Sequence, residues 1–292
     1  MKIGIGLPAT IPGTKAADIL EWARQADQGP FSSLSVIDRL VYGNYEPLIT
    51  LAAAAGATQR IRLMTTVLIA PLRRTAILAK QAASLDALSN GRLTLGLGVG
   101  GREDDFIAAQ VSFHQRGRRI EDQITTLKRI WSGQPLSSET GKIGPAPVQQ
   151  GGPELLIGGY APKALQRAGR LADGFISGGV ADTGQAKQLY QVVAKAWQEA
   201  GRSGRPRFVG AIYAAVGDQD VGDRAMAYIR DYYGYMGSAA DNIAQSVPTT
   251  ENAVRDKIHA FRDVGADELI LWPTVSDLDQ INRFAGLAGE GE

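Results

Sequence analysis

The residues that could do chemistry fall into five short clusters. Asp38-Arg39 joins a carboxylate to a guanidinium, and Thr65-Thr66-Val67 and Gly98-Val99-Gly100-Gly101 are small and bendable. Gly158-Gly159-Tyr160-Ala161-Pro162 and Ser177-Gly178-Gly179 are glycine-rich with polar groups beside them. A planar guanidinium recognises anions or carbonyls through paired N–H donors, and Asp38 could orient Arg39 for that task. The plainer reading of the pair is an intramolecular ion pair or a loop cap. Glycine lets main chain approach a flat ring closely, although a tight turn needs it equally. Gly158-Gly159 leads into a helix with proline in its first turn, so helix amides face outward in the arrangement that suits a phosphate. The second pair, Gly178-Gly179, suits the same phosphate held between two neighbouring strand ends.

What is missing narrows the chemistry further. The chain has two histidines and no cysteine, which removes thiolate nucleophiles, thiolate metal sites and disulfides. His259 sits in a helical pattern and reads as a surface residue; His114 lies in a loop from which it could reach a mouth. No Ser-His-Asp set, phosphate-loop motif or metal-ligand spacing is present, and no metal is expected. Glu103, Asp104 and Asp105 read as the acidic first turn of a helix.

The elements that must position these clusters alternate regularly. Apolar runs at 2–7, 33–37, 61–68, 93–97, 154–157, 174–177, 208–216 and 268–272 read as strands. Amphipathic stretches at 14–28, 46–58, 75–88, 117–131, 161–171, 183–200, 220–235 and 251–264, with a short one after 276, read as helices. Eight strand-then-helix units without a composition break predict an α/β fold, a (β/α)8 TIM barrel, as a single domain over 1–292. Residues 132–153 carry four prolines and form an extended loop between the fourth helix and the fifth strand. Ala52–Ala55 and Ala79, Ala82 and Ala83 allow close packing of helices on the third strand. Each chemical cluster falls at the C-terminal end of a strand, where a TIM barrel carries its active site.

Bulk composition agrees. A chain of 292 residues, 44% hydrophobic, buries a large core, and 31 basic against 30 acidic residues give a net charge of +1. Nothing electrostatic points to nucleic acid or an anionic membrane, and no run approaches a membrane span. A cytoplasmic protein with a small-molecule substrate is expected.

Ile61-Arg62-Leu63, Thr65-Thr66-Val67, Pro71, Ala79-Lys80-Gln81, Leu85-Asp86 and Leu88-Ser89-Asn90-Gly91-Arg92 follow one another in order. With Gly96 to Gly100, Ile157-Gly158-Gly159 and Leu171-Ala172-Asp173-Gly174, they resemble the bacterial luciferase-like superfamily of flavin- and deazaflavin F420-dependent oxidoreductases and monooxygenases. The resemblance implies FMN or F420 at the strand ends and a non-prolyl cis peptide at Thr66-Val67 behind the ring. It implies that Gly158, Gly159 and the amides of Tyr160 and Ala161 hold the cofactor phosphate beside Ser177 and Gly178, while Gly98 and Gly100 admit the ring. It also implies a homo-oligomer, and a flavin or F420 reductase as supplier of reduced cofactor.

One departure stands out. Several F420-dependent members place a histidine where this chain has Arg39, and arginine does not exchange protons near neutral pH. Proton transfer then falls to water, substrate, Tyr42, Glu46 or His114. Two other readings stand beside the redox one: a non-redox barrel enzyme acting on a phosphorylated metabolite, and a catalytically silent binding or accessory protein.

Overall fold

The computed structural model describes residues 1–179 and 182–289. Residues 180, 181 and 290–292 of the expected domain lie outside that range. The elements run β1 (Lys2–Gly6), α1 (Ala16–Gln28), β2 (Ser33–Val36), α2 (Pro47–Ala57), β3 (Arg62–Ile69) and α3 (Thr75–Leu88). Next come β4 (Leu93–Gly98), α4 (Glu103–Ala108), α5 (Arg116–Trp131), β5 (Glu154–Gly158), α6 (Pro162–Leu171) and β6 (Gly174–Ile176). The chain finishes with α7 (Thr183–Glu199), β7 (Arg207–Ala214), α8 (Gln219–Tyr232), α9 (Ala239–Gln245), α10 (Glu251–Asp263), β8 (Glu268–Pro273) and α11 (Asp279–Gly289). The strands pair in sequence order, all parallel, and β8 closes on β1: a (β/α)8 TIM barrel, as expected.

Alternation along the strands sorts the side chains into two cores. On β7 the register Val209↔Glu268, Ala211↔Ile270 and Tyr213↔Trp272 with β8 sets matching inward rows side by side. Met64, Leu156, Ile176, Val209, Ala211 and Ile270 fill the middle of the barrel, and Tyr213 and Trp272 continue that cluster towards the C-terminal end. The alternate residues face the helices, where Ala54, Ala55, Ala79, Ala82 and Ala83 are buried among Leu, Ile and Phe. Ala52 and Ala53 are exposed, so half of the alanine run packs as the sequence suggested.

The N-terminal end of the barrel is sealed by charge. Arg207 donates to both Glu154 and Glu268, and Thr94 Oγ1 donates to Glu154 at 2.9 Å. Glu268 is 1% exposed and also accepts from Ser33 Oγ at 2.6 Å. The loop 132–153 contains neither helix nor strand. It is pinned by Asp86, fully buried, which accepts from the amides of Val148 and Gln149 and from Gln149 Nε2 at 2.7–3.0 Å.

Two stretches differ from expectation. The helix expected over 220–235 stops at Tyr232, because Gly234 and Gly237, the latter at φ +60°, break the run before α9 begins. β7 ends at Ala214 since the Ala215 and Gly217 amides turn to the carbonyls of Pro248 and Thr249.

Candidate active site

The β3 strand bends where the sequence placed its first ring contact. The Thr66-Val67 peptide is cis, and the pairing of β3 with β4 shifts register between Thr65 and Leu68. Thr65 Oγ1 donates to the Gly96 carbonyl at 2.7 Å and Thr66 Oγ1 to the Val36 carbonyl at 3.3 Å, fastening the bend to both neighbours. Gly98 and Gly158 flank Val67: a Cβ at Gly98 would meet Val67 Cγ2 at 2.5 Å, and one at Gly158 would meet Cγ1 at 2.8 Å. Gly100, at φ +72°, lies against Ile69. Thr65, Thr66, Val67, Gly98, Gly100 and Gly158 therefore converge.

The second half of the cradle joins β5, β6 and the start of α6. Gly159 has φ +157°, and Pro162 occupies the first turn of α6, whose leading amides have no acceptor within the helix. Ala161 is the N-cap of that helix. Ser177 is fully buried and its Oγ has no hydrogen-bond partner, while its amide donates to Val209 at 2.9 Å. The Tyr160 phenol lies over Gly178, where a Cβ would come within 1.9 Å of its oxygen. Small residues around a buried, unpartnered hydroxyl next to helix amides fit a cofactor carrying a ring and a phosphate.

Asp38 and Arg39 do not pair, which corrects the expectation that Asp38 orients Arg39. The Asp38 carboxylate accepts from the Ile69 amide at 2.8 Å and from Arg73 at 2.5 Å, so it braces the end of β3. Arg73 also binds Glu46, and Glu46 caps α2 through the Ile49 amide at 2.8 Å. Arg39 turns the other way and is 8% exposed. Its guanidinium lies over the rings of Tyr42 and Tyr232, 4.8 and 5.0 Å from their centroids, and donates to the Tyr232 carbonyl at 3.1 Å. Its carboxylate neighbour is Asp105, with Nε and Oδ2 3.9 Å apart and neither hydrogen-bonded. Asp105 Oδ1 accepts from the Leu40 and Val41 amides at 3.0 and 2.6 Å. The acidic turn of α4 thus reaches into the site, beyond its expected part in the helix dipole.

His114 stands apart from this set: it is exposed and packs edge-on against Phe113 at 5.9 Å. Tyr42 donates to Asp231 at 2.5 Å; burial first, then that bond, holds its phenol well above the ordinary tyrosine range. Tyr213, Tyr228, Tyr232 and Tyr233 crowd the mouth between β7, β8 and α8, and sequence reasoning missed them all. Their signals were present: Tyr213 continues the inward row of β7, and Tyr232-Tyr233 and Tyr235 cluster about a helix end. Burial raises the phenol pKa of Tyr213 and Tyr233, whose hydroxyls bond each other at 2.9 Å.

A broad cavity of about 1050 Å³ opens at the opposite end of the barrel. Among its charged residues Arg205 pairs with Asp267 and Arg207 with Glu154, and none of the clustered residues lines it.

Comparison with known proteins places these features in a family. The chain is 30% identical over 237 residues to an F420-dependent hydroxymycolic acid dehydrogenase of Mycobacterium tuberculosis, covering 76% of this chain and 63% of that protein. Among solved structures, a monooxygenase from Streptomyces bottropensis superposes with a TM-score of 0.78 at 22% identity, covering 99% of this chain and 98% of the other. An F420-dependent secondary alcohol dehydrogenase in complex with an F420-acetone adduct also gives 0.78, at 20% identity and 98% coverage of both chains. At such identities the two structures speak to the fold alone. The model of the luciferase-like monooxygenase family matches residues 1–281, and the chain belongs to that family.

Proposed function

We propose that this chain is an oxidoreductase that binds deazaflavin F420 at the C-terminal mouth of the barrel and exchanges hydride with a small organic substrate. The observation that carries the reading is the glycine cradle about Val67, joined to the unpartnered buried hydroxyl of Ser177. F420 is favoured by the dehydrogenase to which the chain is 30% identical. FMN with dioxygen is the second reading, favoured by the luciferase-like monooxygenase family to which the chain belongs.

When bound, such a cofactor supplies the hydride; the chain supplies position and electrostatics. Gly98, Gly100, Gly158 and the bent Thr65-Thr66-Val67 segment admit and back a flat ring. Gly159, the amides of Tyr160 and Ala161, Ser177 and Gly178 hold the phosphate end. Arg39, held over Tyr42 and Tyr232 beside Asp105, fixes the wall of the mouth and places a guanidinium there. Asp38 is a positioning residue that acts through Arg73 and the Ile69 amide. Proton exchange is assigned to Tyr42 with Asp231, ahead of His114, whose ring faces solvent on Phe113. The reading includes a separate reductase as supplier of reduced cofactor and assembly with further copies of the chain.

Parallel titration with F420, FMN and reduced FMN, followed by fluorescence or calorimetry, tests it. F420 should bind in the micromolar range, about −8 kcal/mol. Tighter binding of reduced FMN moves the assignment to oxygenation, and no binding below millimolar by any of the three ends the redox reading.

A further inference from the structure

We propose that the aromatic cluster at the mouth is a conduit for single-electron oxidation, carrying an oxidising equivalent from Trp272 out to Tyr42, where the phenolic proton passes to Asp231. This goes beyond the assignment of a cofactor: the ring geometry is the same whichever ring the mouth binds, and the oxidant it would carry away rests on the second reading, in which dioxygen reacts in the mouth.

The rings form an unbroken series. Trp272 and Tyr213 lie 5.0 Å apart between centroids, Tyr213 and Tyr233 5.9 Å, Tyr233 and Tyr232 5.0 Å, and Tyr232 and Tyr42 5.3 Å. Tyr228 and Tyr235 branch from the same series at 5.9 and 6.3 Å. Six of the nine tyrosines in the chain are gathered here, so the concentration is local and not a matter of composition. Apolar packing alone would be met by phenylalanine, yet the hydroxyls of Tyr42, Tyr213, Tyr233 and Tyr228 have defined partners in Asp231, each other and Thr10. The inner end is Trp272, 5% exposed at the top of the barrel, where a reaction in the mouth would meet it.

The outer end is set by where a proton can go. Removing an electron from a phenol makes it a strong acid, so the oxidised state settles on the tyrosine with a base beside it. Tyr42 has that base, Asp231 at 2.5 Å. Arg39 over the rings of Tyr42 and Tyr232 disfavours a ring holding positive charge, so Tyr232 passes the electron in transit and oxidation settles at Tyr42 with loss of its proton to Asp231. Burial keeps Tyr213 and Tyr233 protonated, so they relay the electron and return to their resting state.

The balance is simple. An oxygen-centred radical from partly reduced dioxygen takes one electron through the series and becomes an anion. Tyr42 loses that electron and gives its proton to Asp231, leaving a neutral phenoxyl radical. A small thiol then donates a hydrogen atom to Tyr42 and becomes a thiyl radical, and Asp231 releases its proton to water. The result is an exit for oxidising equivalents that would otherwise attack the mouth.

Pulse radiolysis with azide reads the conduit without cofactor, because azidyl radical oxidises tryptophan and any transfer to tyrosine appears as a second, first-order absorbance change. The protein should show a tryptophan-to-tyrosine phase independent of protein concentration. Trp272→Phe, Tyr213→Phe and Tyr233→Phe should abolish it, each keeping a ring in place, while Tyr190→Phe, outside the series, should leave it. Asp231→Asn should slow it and move the trapped radical away from Tyr42 in electron paramagnetic resonance. Absence of the phase in the parent protein, or its survival unchanged in the three ring variants, overturns the proposal. Either result leaves the cofactor titration untouched, so the two readings fail separately.

Discussion

Neutralising Asp105 should destabilise the protein, and most of that loss should disappear once Arg39 is neutral as well. Asp105 is 1% exposed and Arg39 8% exposed, and Asp38, the next carboxylate in sequence, is committed to Arg73. At the 3.9 Å between Nε and Oδ2, two unit charges interact by about 4 kcal/mol at an effective dielectric of roughly 20. Asp105→Asn keeps an oxygen for the Leu40 and Val41 amides, so it isolates the charge. The guanidinium then stays buried without a counter-charge, and the expected loss is about 3 kcal/mol, at the low end for a broken buried pair. Arg39→Met keeps the stem between the tyrosine rings and gives up the cation over them and its bonds to carbonyls, about 2 kcal/mol. The double variant should lose about 2 kcal/mol less than the sum of the two. Urea unfolding of the four proteins, with similar slopes, supplies the cycle. Additivity within about 0.5 kcal/mol would mean that the two charges do not feel each other and that the buried pair is not real.

Three further outcomes are expected. Ser177→Ala should stabilise the cofactor-free protein by about 1 kcal/mol, since it removes a buried hydroxyl with no partner, and should weaken cofactor binding about tenfold; thermal unfolding and titration of the same sample separate the two effects. Gly98→Ala should lower affinity for the ring because its Cβ would lie 2.5 Å from Val67, and unchanged affinity would move the ring elsewhere. Burial opposes ionisation of Asp27, but the amides of Gln59, Ile61 and Arg60 outweigh it and hold the carboxyl below its ordinary value. That stability is present above the unfolded pKa of about 3.9 and is lost as pH falls through the lower folded value. Urea midpoints of the parent and Asp27→Asn should therefore differ at neutral pH and converge in acid.

The barrel was legible because its signal repeats: eight apolar runs, each followed by an amphipathic stretch, leave few alternatives. The backbone side of the site was legible for a similar reason, as Gly98, Gly158, Gly159 and Gly178 mark places where a Cβ would collide. Charge pairing was not. Asp38 and Arg39 are adjacent in the chain, but neighbours leaving a strand point in different directions, and their partners come from elsewhere, Arg73 from the turn after β3 and Asp105 from α4. The tyrosines escaped notice because β7 was read for its apolar content and 220–235 only as an amphipathic helix. The fold brings the two together through Tyr213 and Tyr233, whose hydroxyls bond at 2.9 Å.

The sealed end of the barrel has a consequence for the open one. Arg207, Glu154 and Glu268 satisfy one another beneath the apolar middle, so the foundation of the fold draws nothing from the loops above it. Those loops can be exchanged, lengthened or retuned while the barrel stands. A scaffold divided in this way lets one architecture wander among substrates over its history, and it offers an engineer the mouth as a replaceable part.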